Sequence, residues 1–139
     1  MTGVIIVYGS DDARAALSAA KMIGCSVTLM SPPAAGAYGG GGWFRHLFES
    51  ALADHSAVPA RAVLDCADLA GVVLAALRAG IGDLRFTGRA ETAARLAAIA
   101  VANGARLHGP DTFPQPWLDL RGCSDPVDAC RDYLQTRGL

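Results

Sequence analysis

At 139 residues, 52% of them hydrophobic, the chain is long enough to close one α/β-sized core without disulfide or metal staples. Its 12 basic and 13 acidic residues are scattered, for a net charge of −1, and no basic cluster points to nucleic acid. The one lysine, Lys21, falls inside a helical pattern, which removes Walker, Schiff-base and lysine-clamp chemistry.

In chain order, GVIIVYG (3–9) reads as a buried strand, and with no basic n-region before it a first strand is expected here rather than a signal peptide. DARAALSAAKMIG (12–24) carries Ala16, Leu17, Ala20 and Ile23 on one side and ends in Gly24, a C-cap residue. SVTLMS (26–31) is the second strand. SPPAAGAYGGGG follows as a glycine-rich loop running into a helix at 43–54, where Phe44, Leu47, Phe48, Ala51 and Leu52 make an apolar stripe. ARAVLDC (60–66), LAGVVLAALRAG (69–80), DLRFTG (83–88), RAETAARLAAIAVANG (89–104) and ARLHG (105–109) continue the alternation of strand and helix. After residue 109, PDTFPQPWLDLRG reads as an extended crossing segment with room for WLDLR as a short edge strand. A last helix opens with Asp125 as N-cap and Pro126 at N1.

The expected fold is a three-layer α/β/α domain around a five-stranded parallel sheet, flavodoxin-like or Rossmann-like in strand order. Residues 1–109 supply five β-α units, and residues 110–139 add the crossing segment and a helix on the same domain. No segment has the apolar length of a membrane span. Cys25, Cys66, Cys123 and Cys130 form no CxxC pair and read as reduced thiols of a cytoplasmic protein.

Ligands of parallel sheets bind beyond the carboxyl ends of the strands. That rule selects the turns at Tyr8–Asp12, 31–44, Asp65–Asp68, Thr87–Arg89 and His108–Pro110. Ser10, Asp11 and Asp68 also stand where helix caps are expected. The first turn, GSDDA, lacks G-x-G-x-x-G and would repel a pyrophosphate. The glycine run lacks the G-K-[ST] of a P-loop, and there is no G-x-S-x-G elbow. Ser10, Cys66 and His108 remain as nucleophile or base candidates. His46 and His55, nine residues apart, do not stack as metal ligands, and no metal site is expected.

The order Asp11-Asp12 after the first strand, Asp65 ending the third and Thr87 ending the fourth resembles a response-regulator receiver domain over residues 3–109. That resemblance implies acids holding Mg²⁺ and Asp65 as phosphoacceptor. The chain departs from the family's pattern with His108 in place of its lysine and with no Met-Pro after Asp65.

Four successive glycines, if ordered, give up on the order of 2–4 kcal/mol, so the run is expected either to stay mobile or to serve backbone access. The leading expectation is a small ligand-binding domain that takes an anionic or nucleotide-like molecule, its cofactor unidentified. Its candidate contacts are Ser10, Asp11, Tyr38, Gly40, Gly41, Gly42, Trp43, Arg45, Asp65 and Thr87. Tyr38 and Trp43 would act as stacking or lid groups, and Arg45 with the helix start as an anion receiver. Two alternatives stand beside it. One is a divalent-metal enzyme using Asp11, Asp12 and Asp65; the other is a homodimeric assembly subunit joined through the Pro-rich tail and Trp117.

Overall fold

A computed structural model describes residues 3–137, except for the side chain of Tyr38. Among the described residues, six strands and six helices follow in the order β1 (Gly3–Ile6), α1 (Ser10–Ile23), β2 (Val27–Met30), α2 (Ala35–Tyr38), α3 (Gly40–Ala53), β3 (Ala60–Asp65), α4 (Ala70–Arg78), β4 (Asp83–Arg85), α5 (Ala90–Ala102), β5 (Arg106–His108), β6 (Leu118–Asp119) and α6 (Pro126–Arg137). The α/β class is as expected, but the parallel sheet has six strands, in the order β5-β4-β3-β2-β1-β6. The sixth is the edge segment within WLDLR, whose Leu118 and Asp119 pair in parallel with Ile5 and Ile6.

This order is neither of the two expected. A flavodoxin-like sheet places β3 beside β1, whereas here β1 lies between β2 and β6. A Rossmann sheet leaves β3 at an edge away from β4, whereas here the two pair, with Leu64 opposite Leu84 and Asp65 opposite Arg85. Pairing partners depend on contacts far apart in sequence, which local patterning does not encode.

Packing divides the chain into two units. The first comprises the residues up to Met30, Leu47–Arg61 and the chain from Gln115; the second comprises Ser31–His46 and Ala62–Pro114. In the first, Ile5, Val7, Val27 and Leu29 pack with the alanine face of α1, with Leu47 and Ala51 of α3, and with Cys130 and Leu134 of α6. Tyr133 ties this unit together, its hydroxyl accepting from Val4 N (3.0 Å) and donating to the Pro116 carbonyl (2.9 Å). At the start of α6, Asp125 accepts from Asp128 N at 3.3 Å, the expected cap.

In the second unit, Leu64, Leu84 and Phe86 pack with Phe44 of α3, Val73, Ala76 and Leu77 of α4, and Leu96 and Ala100 of α5. Strand side chains alternate between faces, so Asp65, Arg85 and His108 lie in register on the side away from these helices. Where helices were expected on both faces, α4 and α5 share one. Both connections step the same way along the sheet, and right-handed crossovers then put both helices on the same side.

Of the glycine run, Gly39 is a turn residue that caps α2, and Gly40, Gly41 and Gly42 are helix, not loop. Gly40 (φ +75°) opens α3, and Gly41 and Gly42 complete its first turn. A Cβ on Gly41 would stand 3.0 Å from Ala79 Cβ and 3.2 Å from Ala76 Cα, so α3 sits directly on α4 there. A Cβ on Gly42 would meet nothing within 4 Å. Gly41→Ala is therefore expected to destabilise the protein by about 1–3 kcal/mol, because the atoms it meets are fixed to a helix backbone. Gly42→Ala is expected to stabilise it by about 0.5–1 kcal/mol. Urea unfolding of the two variants checks the contrast, and equal effects would remove the packing explanation.

Candidate functional site

The polar centre of the second unit is the carboxylate of Asp65, at the carboxyl end of β3 and 3% exposed. Its Oδ1 accepts from Ala67 N at 2.8 Å and from Ala34 N at 3.3 Å. Its Oδ2 accepts from Arg85 Nη1 at 2.9 Å. Asp65 N in turn donates to Ser31 Oγ at 2.8 Å. One side chain thus binds the β2–α2 turn, the β3–α4 turn and β4.

Ala34 (φ 59°) and Ala67 (φ 52°) are the only non-glycine residues with positive φ among those described. A left-handed alanine costs roughly 1–2 kcal/mol and persists where its surroundings over-determine it. Both strained residues give their N–H to the same Asp65 oxygen. The carboxylate is the constraint that holds them.

Above the fixed turn lies an apolar pocket of 290 Å³ lined by Pro32, Ala35, Gly39 and Trp43. Trp43, at the start of α3, is 41% exposed. Its ring rests on Gly39, where a Cβ would come within 2.9 Å of Cε3. A larger cleft of 490 Å³ lies between α5 and the carboxyl ends of β4 and β5, walled by Ala93 and Ala97 on one side and by Phe86, Gly88, His108 and Pro110 on the other. The side chains facing that cleft are small apart from Phe86, Leu107 and His108, and His108 is held by Asp83, whereas the smaller pocket carries a partly exposed indole whose ring lies 6.3 Å from that of Phe44.

The remaining candidates fall as follows. Ser10 and Asp11 are exposed in the first turn of α1, in the first unit. The N-cap of that helix is Gly9, and Asp12 reaches back to accept from Tyr8 N at 2.9 Å. Tyr38 ends α2, and its side chain lies outside the described residues. Arg45 donates to the Ala79 carbonyl at 3.2 Å, neutralising the end of α4. Thr87 is exposed and gives its N–H to the Ala67 carbonyl. Asp68 is no cap, since α4 begins after Leu69 without a side-chain cap bond.

His108 Nε2 meets Asp83 Oδ1 at 2.8 Å and its ring lies 4.9 Å from Phe113. Burial, with the Asp65 charge beside it, pushes the Cys66 thiol up to about 12, which makes it a poor nucleophile near neutrality. In the first unit, burial and a hydrogen bond to Asp119 push the Tyr8 phenol up to about 12. Among the described residues, no group of three His, Cys, Asp or Glu side chains is placed to hold a metal ion.

Sequence reasoning selected the 31–44 segment without singling out Ser31, Pro32, Ala34 or Ala35, and it missed Arg85. Arg85 alternates with Leu84 and Phe86 along its strand, which marks it as facing away from the core, but nothing local pairs it with Asp65 twenty positions earlier.

No family model matches the chain, and no curated protein matches it. A similar solved structure is described as "a putative fructose-1,6-biphosphate aldolase from Coccidioides immitis". It shares 23% identity and a TM-score of 0.61 over 91% of this chain and 46% of that one. The likeness is one of fold, and the chain spans about half the length of that protein.

Replacing Asp65 by leucine removes three acceptor contacts, one of them the carboxylate that pairs with the half-buried Arg85, so a loss of about 3–5 kcal/mol is expected. Arg85→Met should cost less, because the carboxylate keeps its two amide donors. The double variant should recover only part of the loss, since the left-handed turns still lack their acceptor. Urea unfolding of the three variants tests this order, and full recovery in the double variant would contradict it.

Proposed function

We propose that this chain is a small-molecule-binding α/β domain whose ligand seats against Trp43 over Pro32, Ala35 and Gly39. The observation that carries the reading is the half-exposed indole forming one wall of an apolar 290 Å³ pocket. Its volume lies at the small end of known ligand sites, which are mostly apolar and largely preformed. Preformation here comes from Asp65, which fixes Ala34 beside the pocket floor. Of the residues named from sequence, the reading keeps Trp43 as a contact and Asp65 as a positioning residue. Gly40, Gly41 and Gly42 serve the helix start and its packing in this reading, and Arg45 serves the end of α4.

The receiver-like alternative is not favoured. It needs Asp65 as an open phosphoacceptor, and both oxygens are engaged by Ala34, Ala67 and Arg85. The metal-enzyme alternative meets the same obstacle at Asp65.

In a Trp117→Phe background the emission reports Trp43 alone. A metabolite panel is expected to contain compounds that quench it and raise the melting temperature, with both effects lost in Trp43→Ala. Because the indole is more than half covered, Trp43→Ala should itself cost about 1–3 kcal/mol, so the ligand effect is read against each protein's own ligand-free melting temperature. Unchanged emission and melting across the panel at millimolar concentration would contradict the reading.

A further inference from the structure

We infer, resting on the reading above, that the Trp43 pocket selects an uncharged, planar, two-ring aromatic molecule and holds it by stacking, not by charge. Three observations lead there. First, the lining offers the Trp43 indole, the Pro32 ring, Ala35 and Gly39 and, among the described residues, no side chain that ionises. Second, the charged groups belonging to the same elements are turned to other tasks. Arg45, two residues after the indole, lies on the Ala79 carbonyl. Asp65 is 3% exposed, with Oδ1 filled by two amides and Oδ2 by Arg85. An anion entering the pocket would lose its hydration and gain no cation in return, which a small apolar site does not repay.

Third, size sets the ring count. A dry apolar cavity of about 150 Å³ accommodates benzene. At 290 Å³ and open to solvent on one side, this pocket admits a fused bicycle of the adenine or indole kind, one face on the indole and the rim of the ring in water. The indole face favours offset stacking with such a ring. Glycine at 39 belongs to the same design. A methyl group there would come within 2.9 Å of the Trp43 ring and push it from its seat. For a ligand of about ten non-hydrogen atoms held mainly by stacking, affinity between roughly 10 µM and 1 mM is expected.

The test uses the full chain, ¹⁵N-labelled, titrated separately with adenine, indole and inorganic phosphate at 50 and 500 mM salt. The Trp43 indole N–H and the amides of Ala35 and Gly39 are followed. The expected result is saturable shifts with adenine or indole whose Kd changes less than about twofold between the two salts, and no shift with phosphate. A uniform charge contact would instead be screened at high salt. Gly39→Ala should weaken ring binding at least fivefold, and Trp43→Ala should abolish it, while both keep the amide dispersion of a folded protein. If phosphate shifts these signals, or ring affinity falls severalfold with salt, the inference fails while the pocket reading stands. If none of the three probes moves the pocket signals, the ring inference fails, and the metabolite panel decides the broader reading separately.

Discussion

The second unit depends on one buried carboxylate. Asp65 ends a strand whose neighbouring residues, Leu64 and Cys66, are fully buried, so its charge sits where it must be compensated. Compensation comes from Arg85 on the adjacent strand and from two amides presented by alanines in left-handed conformations. A buried ion pair is weak evidence for stability by itself, because desolvation offsets much of the attraction. What this one supplies is geometry: it sets the two turns that leave β2 and β3, and one of those turns carries the pocket floor.

That arrangement explains why the stretch between β2 and β3 has its composition. Its glycines had looked like an opening for a phosphate or a mobile lid. Gly40, Gly41 and Gly42 form the first turn of a helix instead, and Gly41 is small because α4 lies against it. Gly36 has a similar reason, since a Cβ there would stand 2.7 Å from Val72 Cγ1. Close helix contact, rather than ligand access, accounts for these two residues. With α3 so anchored, Trp43 is presented at a fixed position over Gly39 and Pro32.

Much of the architecture was legible because it follows from local chemistry. The stripe Phe44, Leu47 and Ala51 is buried, Gly24 adopts the left-handed C-cap (φ 78°), and Asp125 with Pro126 starts the last helix. Strand order was not legible, since β1 chooses β6 more than a hundred residues away. The role of Asp65 was half legible: its place at a strand end marked it for attention, but its partners Ala34 and Arg85 come from other turns and strands. The indole was singled out because it falls off the apolar stripe of its helix, and that inference from periodicity agrees with its exposure. Pro32 and Ala35 carried no such mark.

The central claim is that the Asp65 carboxylate holds the two strained turns and thereby the pocket floor. Native-state hydrogen exchange of the Ala34 and Ala67 amides tests it most directly, comparing the natural chain with Asp65→Asn. The account predicts that both amides are protected in the natural chain, and that the substitution speeds their exchange by more than tenfold relative to amides within α5. Equal protection of Ala34 and Ala67 in the two proteins would contradict it.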